Sequence, residues 1–297
     1  MGIGYQIGNI STNSTACADD IALVSNQLDQ AQILINTAYD YAYMEGYQIH
    51  PTKGVVVNIT HKGTTPMSDQ QEFPLDPNKM PTVEKATHLG IIRTHSLKEN
   101  MRANVDENIK KARRSAYSLF GSGFHGYNGL DIDTMLHVFK IYVTPVILYG
   151  LELILPTANC LMQIENFQKK MLKQILSLSP NVADIAVYIL TGALPIEPQI
   201  HIRALSLFNN ICYQSESSVE QMLAKRQFRL KDNDSSSWFI AIKIILRKYD
   251  LLEAVWYLDN PVKKSTWTAL IKKTVYKYWC KSITDMKPLY SGLQYLS

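Results

Sequence analysis

The chain has 297 residues, 46% hydrophobic and 19% charged, with a formal net charge of +4 and a pI near 8.7. Those proportions exclude a disordered chain and leave room for one large domain or two modest ones. A charge this small permits a nucleic-acid partner without demanding one. The four cysteines, Cys17, Cys160, Cys212 and Cys280, are far apart and form no C-x-x-C pair, which argues against zinc and for a reducing compartment.

The opening "MGIGYQIGNISTNSTA" has no basic region and no long apolar run, so no signal peptide is expected. "ACADDIALVS" reads as a hairpin with Asp19 and Asp20 at its turn and Ile21 to Val24 as an apolar strand. A helix is expected next, capped by Asn26, with Asp29 in its first turn. Leu28, Ala31, Ile35, Ala38 and Ala42 give it one buried face, and Gly46 stands where a left-handed C-terminal residue belongs. The β-branched run Val55 to Ile59 predicts a strand. A proline-rich polar loop comes next, with the apolar patch Phe73 to Leu75, and "THLGIIRT" predicts another strand. The first 95 residues are therefore expected to be a small α+β layer, one helix on a sheet.

From about residue 97 the pattern turns helical. "LKENMRANVDENIKKARRSAYSLFG" places Met101, Val105, Ile109, Ala112, Ala116 and Leu119 on one face and Lys110, Lys111, Arg113 and Arg114 mostly on the other. Further helices are expected near 132–152, broken at Pro145, and near 159–178, 181–191, 198–214, 237–249 and 264–281. "RLKDNDSSS" (229–237) reads as a linker. The expected division is thus 1–95, 96–228 and 229–297. "VTPVILYGLELILP" is the most apolar stretch, but it is too short to span a bilayer and carries Glu152. No membrane association is expected, and the composition suits a nuclear or cytoplasmic protein.

An Asp-Asp pair arises by chance in a chain of this size, and an acidic turn needs no metal. The surrounding order adds to it. "CADDIALVS", a helix, "GYQIHPTKGVVV" and "ATHLGIIR" together resemble the last three palm motifs of reverse transcriptases, RNA-directed DNA polymerases, and most closely those of animal non-LTR (LINE-type) retrotransposons. The x-A-D-D hairpin is motif C of that family. The helix and the lysine before a strand are motif D, and the L-G pair opens motif E, the primer grip. "NIKKARRSAYSLFGSGFHGYNGLD", "YVTPVILYGLELI", "YILTGALPIEPQIH" and "SSSWF" are similar to the helical region after the palm in one branch of these elements. The resemblance covers nearly the whole chain.

It implies a partial palm followed by thumb-like helices, with Mg²⁺ as cofactor and template RNA, a DNA primer or an RNA–DNA duplex as partners. Asp19 would be a direct Mg²⁺ ligand and Asp20 a less direct one. Lys53 would act near the departing pyrophosphate, and Leu89 with Gly90 would position the primer. Read from the residues alone, Lys53 is a surface lysine flanking a strand, and the Leu89–Gly90 pair is equally a plain buried turn. The face bearing Lys110, Lys111, Arg113 and Arg114 would meet duplex phosphates, or else is simply solvated. The same two readings apply to Lys169, Lys170 and Lys173; where Lys272, Lys273, Lys277 and Lys281 interleave with Tyr276, Tyr278 and Trp279, the aromatics would stack on single-stranded bases or else belong to the core. His88, His125, His137 and His201 show no metal-ligand spacing and are read as structural.

One departure bears on activity. Two-metal nucleotidyl transfer needs carboxylates from two strands, and no acidic residue precedes Asp19 in this sequence. Motif A, motif B and the fingers are not in it. The chain alone is expected to lack synthesis, unless another chain supplies the missing half.

Overall fold

The computed structural model describes residues 2–50, 53–59, 72–75, 78–123 and 130–293. Strand pairs occupy the first part of the chain and helices the rest, a mixed α and β arrangement. The chain divides into two compact units, 1–103 and 104–297. Most of the polar loop (60–71 and 76–77), Pro51, Thr52 and His125 lie outside the described residues.

The first unit differs from the expected single sheet. Among the described residues its strands form four separate antiparallel pairs: β1 (Tyr5–Ile7) with β2 (Ile10–Thr12), β3 (Ser14–Cys17) with β4 (Asp20–Leu23), β5 (Phe73–Leu75) with β6 (Asn78–Met80), and β7 (Lys85–His88) with β8 (Ile91–Thr94). Helix α1 (Leu28–Met44) buries Ile35 against Phe73 and Leu75, with Leu23, Ala31, Tyr39, Ile49, Val56 and Met80 around them. The run Val55 to Ile59 is not a strand. Val56 makes one isolated parallel bridge with Thr82, donating to Pro81 O at 3.0 Å and accepting from the Val83 amide at 2.9 Å. The neighbouring chain, Asn78–Met80, is already paired with β5, so the β-branched run finds a partner at a single residue.

The two ends of α1 contrast. At the start, Asn26 does not cap the helix. Its Oδ1 accepts from the Gln6 amide at 2.8 Å, and Gln27 takes the N-cap position with no side-chain bond to a helix amide. Asn26 thus ties β1 to the helix entry. At the far end Gly46 has φ 75°. The Tyr47 amide reaches Ala42 O at 3.0 Å and the Gly46 amide reaches Tyr43 O at 3.2 Å, the paired bonds of a Schellman motif.

Helix α2 (Leu97–Gly121) carries the chain into the second unit. Beyond it lie α3 (Ile132–Tyr142), α4 (Thr144–Ile147), α5 (Leu151–Ile154), α6 (Ala158–Ile175), α7 (Asp184–Thr191), α8 (Ile196–Cys212), α9 (Val219–Leu230), α10 (Trp238–Lys248), α11 (Ala254–Asp259) and α12 (Lys264–Met286). Asp131 caps α3, its Oδ1 accepting from the Thr134 amide at 3.0 Å. The break expected at Pro145 occurs just before it, at Val143, and places the proline in the first turn of α4, where its missing N–H costs nothing.

Among the described residues this unit has two large apolar cores, with α8 running through both, and a small cluster of Ile185, Ala186 and Leu293. Ile196 and Ile200 join Val105, Ala112, Ala116, Ile147, Leu151, Ile164, Met171 and Leu172. Ala204, Leu205 and Phe208 join Ala224, Ile242, Leu246, Tyr257, Trp267, Ile271 and Val275. Trp267 is the largest fully buried side chain of the second core, its indole N–H donating to Leu205 O at 2.9 Å. Residues 229–237, expected as a linker, join α9 to α10, and both helices belong to this second core. Among the described residues no single helix is long and apolar enough to cross a membrane. The bent pair α7 and α8 together reach that length and apolarity, and many of their apolar side chains are buried inside the unit.

Candidate functional site

The hairpin comes first. Cys17 pairs with Asp20 across a two-residue loop, Ala18 and Asp19, so Asp19 is the tip and Asp20 the first strand residue. Ala18 has φ 54°, the sign required at the first loop position of the tight turns that suit a hairpin. Both aspartates are exposed, and no hydrogen bond or ion pair engages either carboxylate among the described residues. The ladder behind them is thin. Ile21 is 51% exposed and Val24 37%.

Lys53 lies in a turn, exposed, its backbone N–H donating to His50 O at 3.3 Å. No contact joins it to Asp19 or Asp20 among the described residues. Leu89 and Gly90 form the two-residue loop of the β7–β8 hairpin, closed by the His88–Ile91 pair. They are an exposed turn rather than a buried one. Both have positive φ, 50° and 74°, the type I′ pattern that normally takes Asn-Gly. A leucine there is strained by about 1 kcal/mol. Leu89→Asn should therefore raise the unfolding free energy of the hairpin unit by about that amount in urea titration. No gain would mean that the leucine side chain contributes packing equal to its strain.

The basic set lies on α2, in the second unit. Lys110, Lys111, Arg113 and Arg114 are all exposed. Lys110 and Lys111 approach Glu107 at 3.7 and 3.8 Å, contacts too long and too wet to hold them. Arg113 and Arg114 form no ion pair among the described residues. The opposite side of the helix is buried through Val105, Ala112 and Ala116, so the cationic side chains share the outer face.

Two other basic groups are engaged internally. Lys169 and Lys173 both bind Asp184, at 2.7 and 3.0 Å, and Lys173 also donates to Pro180 O at 2.9 Å. The two lysines hold the Asp184 carboxyl below its usual range against the opposing effect of burial. They staple α6 to α7 and leave only Lys170 outward. On α12, the Trp279 indole N–H donates to Tyr249 Oη at 3.0 Å, and Tyr278 stands edge-on to Tyr249. Trp279 is half-buried by these contacts, while Tyr276 and Tyr278 remain 51% and 42% exposed.

The most densely bonded polar groups carry no sequence signal that they act together. Glu165, on α6, accepts through Oε1 from the Ile196 and Glu197 amides at 2.6 and 3.2 Å, and through Oε2 from the Tyr188 hydroxyl at 2.5 Å. A carboxylate from another helix thus caps the start of α8. Burial and that carboxylate push the Tyr188 phenol far up. Further along α8, His201 Nδ1 lies 2.8 Å from Tyr249 Oη, and Lys248 binds Glu197 at 2.6 Å with its ammonium 4.9 Å above the Trp279 ring. Trp279 donates to the Tyr249 oxygen, so the hydroxyl proton is available to His201 Nδ1. The imidazole then carries its own proton on Nε2, facing Glu197 at 3.7 Å. Burial pushes the His201 pKa down to about 4, outweighing Glu197. The long range of these contacts, 31 and 48 residues apart, hides them from the sequence.

For divalent metal, the described residues hold no group of three or more His, Cys, Asp or Glu side chains. Asp19 and Asp20 on an exposed tip offer what a hydrated Mg²⁺ takes from protein, one or two carboxylates, and not the two-sided clamp of a two-metal centre. Comparison of the chain with protein-family models, with curated proteins and with solved structures finds no match.

Proposed function

We propose that this chain is a reverse transcriptase palm remnant of the non-LTR (LINE-type) kind, joined to thumb-like helices, which binds an RNA–DNA duplex and does not extend it alone. The observation that carries the reading is the β3–β4 hairpin. Its two-residue loop puts Asp19 on an exposed tip with Asp20 exposed beside it at the start of β4, an arrangement that suits a motif C hairpin. The elements after this hairpin support the reading in their order: a helix, an exposed lysine and, after the β5–β6 pair, a tight hairpin turning on Leu89 and Gly90.

In this reading Asp19 and Asp20 would hold Mg²⁺, whose charge serves to activate a 3′-hydroxyl and to hold a triphosphate. The residues present supply half of such a centre, and synthesis requires a carboxylate from elsewhere. Duplex affinity would come from the outer face of α2, where Arg113 and Arg114 have no internal partner to give up among the described residues.

A fluorescence-anisotropy titration with an RNA–DNA duplex at several salt concentrations tests this. Wild type should bind with a steep salt dependence. Replacing Lys110, Lys111, Arg113 and Arg114 by alanine should weaken binding at least tenfold and flatten the log–log salt slope by about 2. Identical curves for the two proteins would favour the second reading, a structural relic with no ligand, which the wide exposure of β3 also suits.

A further inference from the structure

We propose that the outer edge of β3 pairs antiparallel with the same edge of a second copy of this chain, making a two-fold dimer with a four-stranded sheet. Hydrogen-bond direction along β3 points to this pairing, whatever the fate of the polymerase reading. The Val24 amide donates to Asn13 O at 2.8 Å, so Asn13 and Val24 form a hydrogen-bonded pair. Pairs alternate along an antiparallel ladder. Thr15–Ala22 and Cys17–Asp20 are then bonded too, whereas Ser14 and Ala16 turn their N–H and C=O groups away from β4. Among the described residues those outward groups have no partner.

Only an extended strand can satisfy such a row of groups, and β3 itself has the matching one. Setting Ser14 opposite Ala16 of a second copy, and Ala16 opposite its Ser14, joins all the outward groups in four bonds about a two-fold axis through Thr15. Shifting the register by two residues in either direction forfeits bonds. One shift calls on Ala18, which is turned out of the strand at φ 54°. The other calls on Thr12, already paired with Tyr5.

The strand also lacks the devices that keep edges apart. Ser-Thr-Ala-Cys has no charge and no proline, its register with β4 has no bulge, and all four residues are exposed. The β4 edge is the poorer choice, since Leu23 packs with the α1 core. In the dimer the two Asp19 tips point to opposite ends of the sheet, roughly 25 Å apart at ~3.4 Å per residue. Dimer formation thus neither completes nor requires a metal centre.

Sedimentation velocity of the full chain from about 10 µM to about 0.5 mM tests the proposal; so short an edge implies a dissociation constant in the upper part of that range. The mean mass should rise from 33.7 kDa toward twice that value. Ala16→Pro removes an outward donor while leaving the bonds to β4, and Thr15→Lys sets two cations face to face across the axis. Each should weaken association at least tenfold. With Cys17→Ser as background, Thr15→Cys meets its own copy at the axis, in a non-bonded pair whose spacing suits a disulfide. Glutathione disulfide, taking two electrons as the thiols lose two protons, should give several-fold more covalent dimer there than with Ala16→Cys. A constant monomer mass overturns the proposal. So does association unmoved by both Ala16→Pro and Thr15→Lys, or equal crosslinking at the two cysteine positions.

Discussion

Lowering the pH from 7.5 to 4.5 should remove about 2.5 kcal/mol of stability through His201 alone. In the folded protein this ring is held neutral by burial, with its pKa pushed down to about 4, against 6.5 when exposed. The groups facing it come from three helices and their ends: Glu197 on its own helix, Lys248 and Tyr249 from the end of α10, and through Tyr249 the Trp279 indole of α12. Because the folded pKa is the lower one, the unfolded chain takes up the proton first. The stabilising contribution is complete above about pH 6.5, falls as the pH drops, and is gone below about 4. Urea melts at the two pH values, compared between wild type and His201→Gln, isolate this contribution from that of the carboxylates. The variant should lose about 2.5 kcal/mol less than wild type over the interval. Parallel losses would mean that His201 is not held neutral.

Glu165→Ala should cost about 3 kcal/mol, a large share of the stability of a domain. Three donors lose their acceptor together. The Ile196 and Glu197 amides lie at the head of α8, where there is no next turn to bond, and the Tyr188 hydroxyl belongs to a side chain only 8% exposed. Since α8 passes through both cores, freeing its first turn loosens the packing around Ile196 and Ile200. Glu165→Gln keeps one acceptor oxygen and should cost about 1 kcal/mol, the difference between charged and neutral bonds. Chemical denaturation of the three proteins measures both values. Equal losses for Ala and Gln would place the effect in the charge rather than in the unsatisfied donors.

How much of the fold is legible in the sequence depends on how local each cause is. The β3–β4 hairpin, the glycine that ends α1, the long α2 and the break near Pro145 are all set by neighbours within a turn or two, and each stands where the pattern puts it. Val55 to Ile59 departs from its pattern because a strand also needs an available partner edge, which no local pattern records. Asn26 does not cap α1 because the Gln6 amide, twenty residues earlier, engages its side chain. Helices α9 and α11 have no counterpart in the expected set. One buries only Gln221 and Ala224, and the other is six residues long, so neither shows a strong apolar stripe. Lys169 and Lys173 look like Arg113 and Arg114 in sequence; the partner Asp184, fifteen and eleven residues on, separates the two cases.

The candidate site shows the same limit more sharply. Asp19, Leu89 and Gly90 are legible as turn residues and stand in turns, whereas Asp20, expected at the turn, is the first residue of β4. Whether Lys53 or any further carboxylate comes near the aspartates depends on tertiary placement, and among the described residues no bond joins them. A shared sheet would have fixed their spacing, and the four separate strand pairs do not form one.

Primer extension tests the central claim most directly. The full chain, given an RNA template, an annealed DNA primer, deoxynucleoside triphosphates and Mg²⁺, should bind the duplex and leave the primer at its starting length. Extension that Asp19→Ala abolishes would contradict the account, because it would show a complete metal centre where the hairpin supplies only half of one.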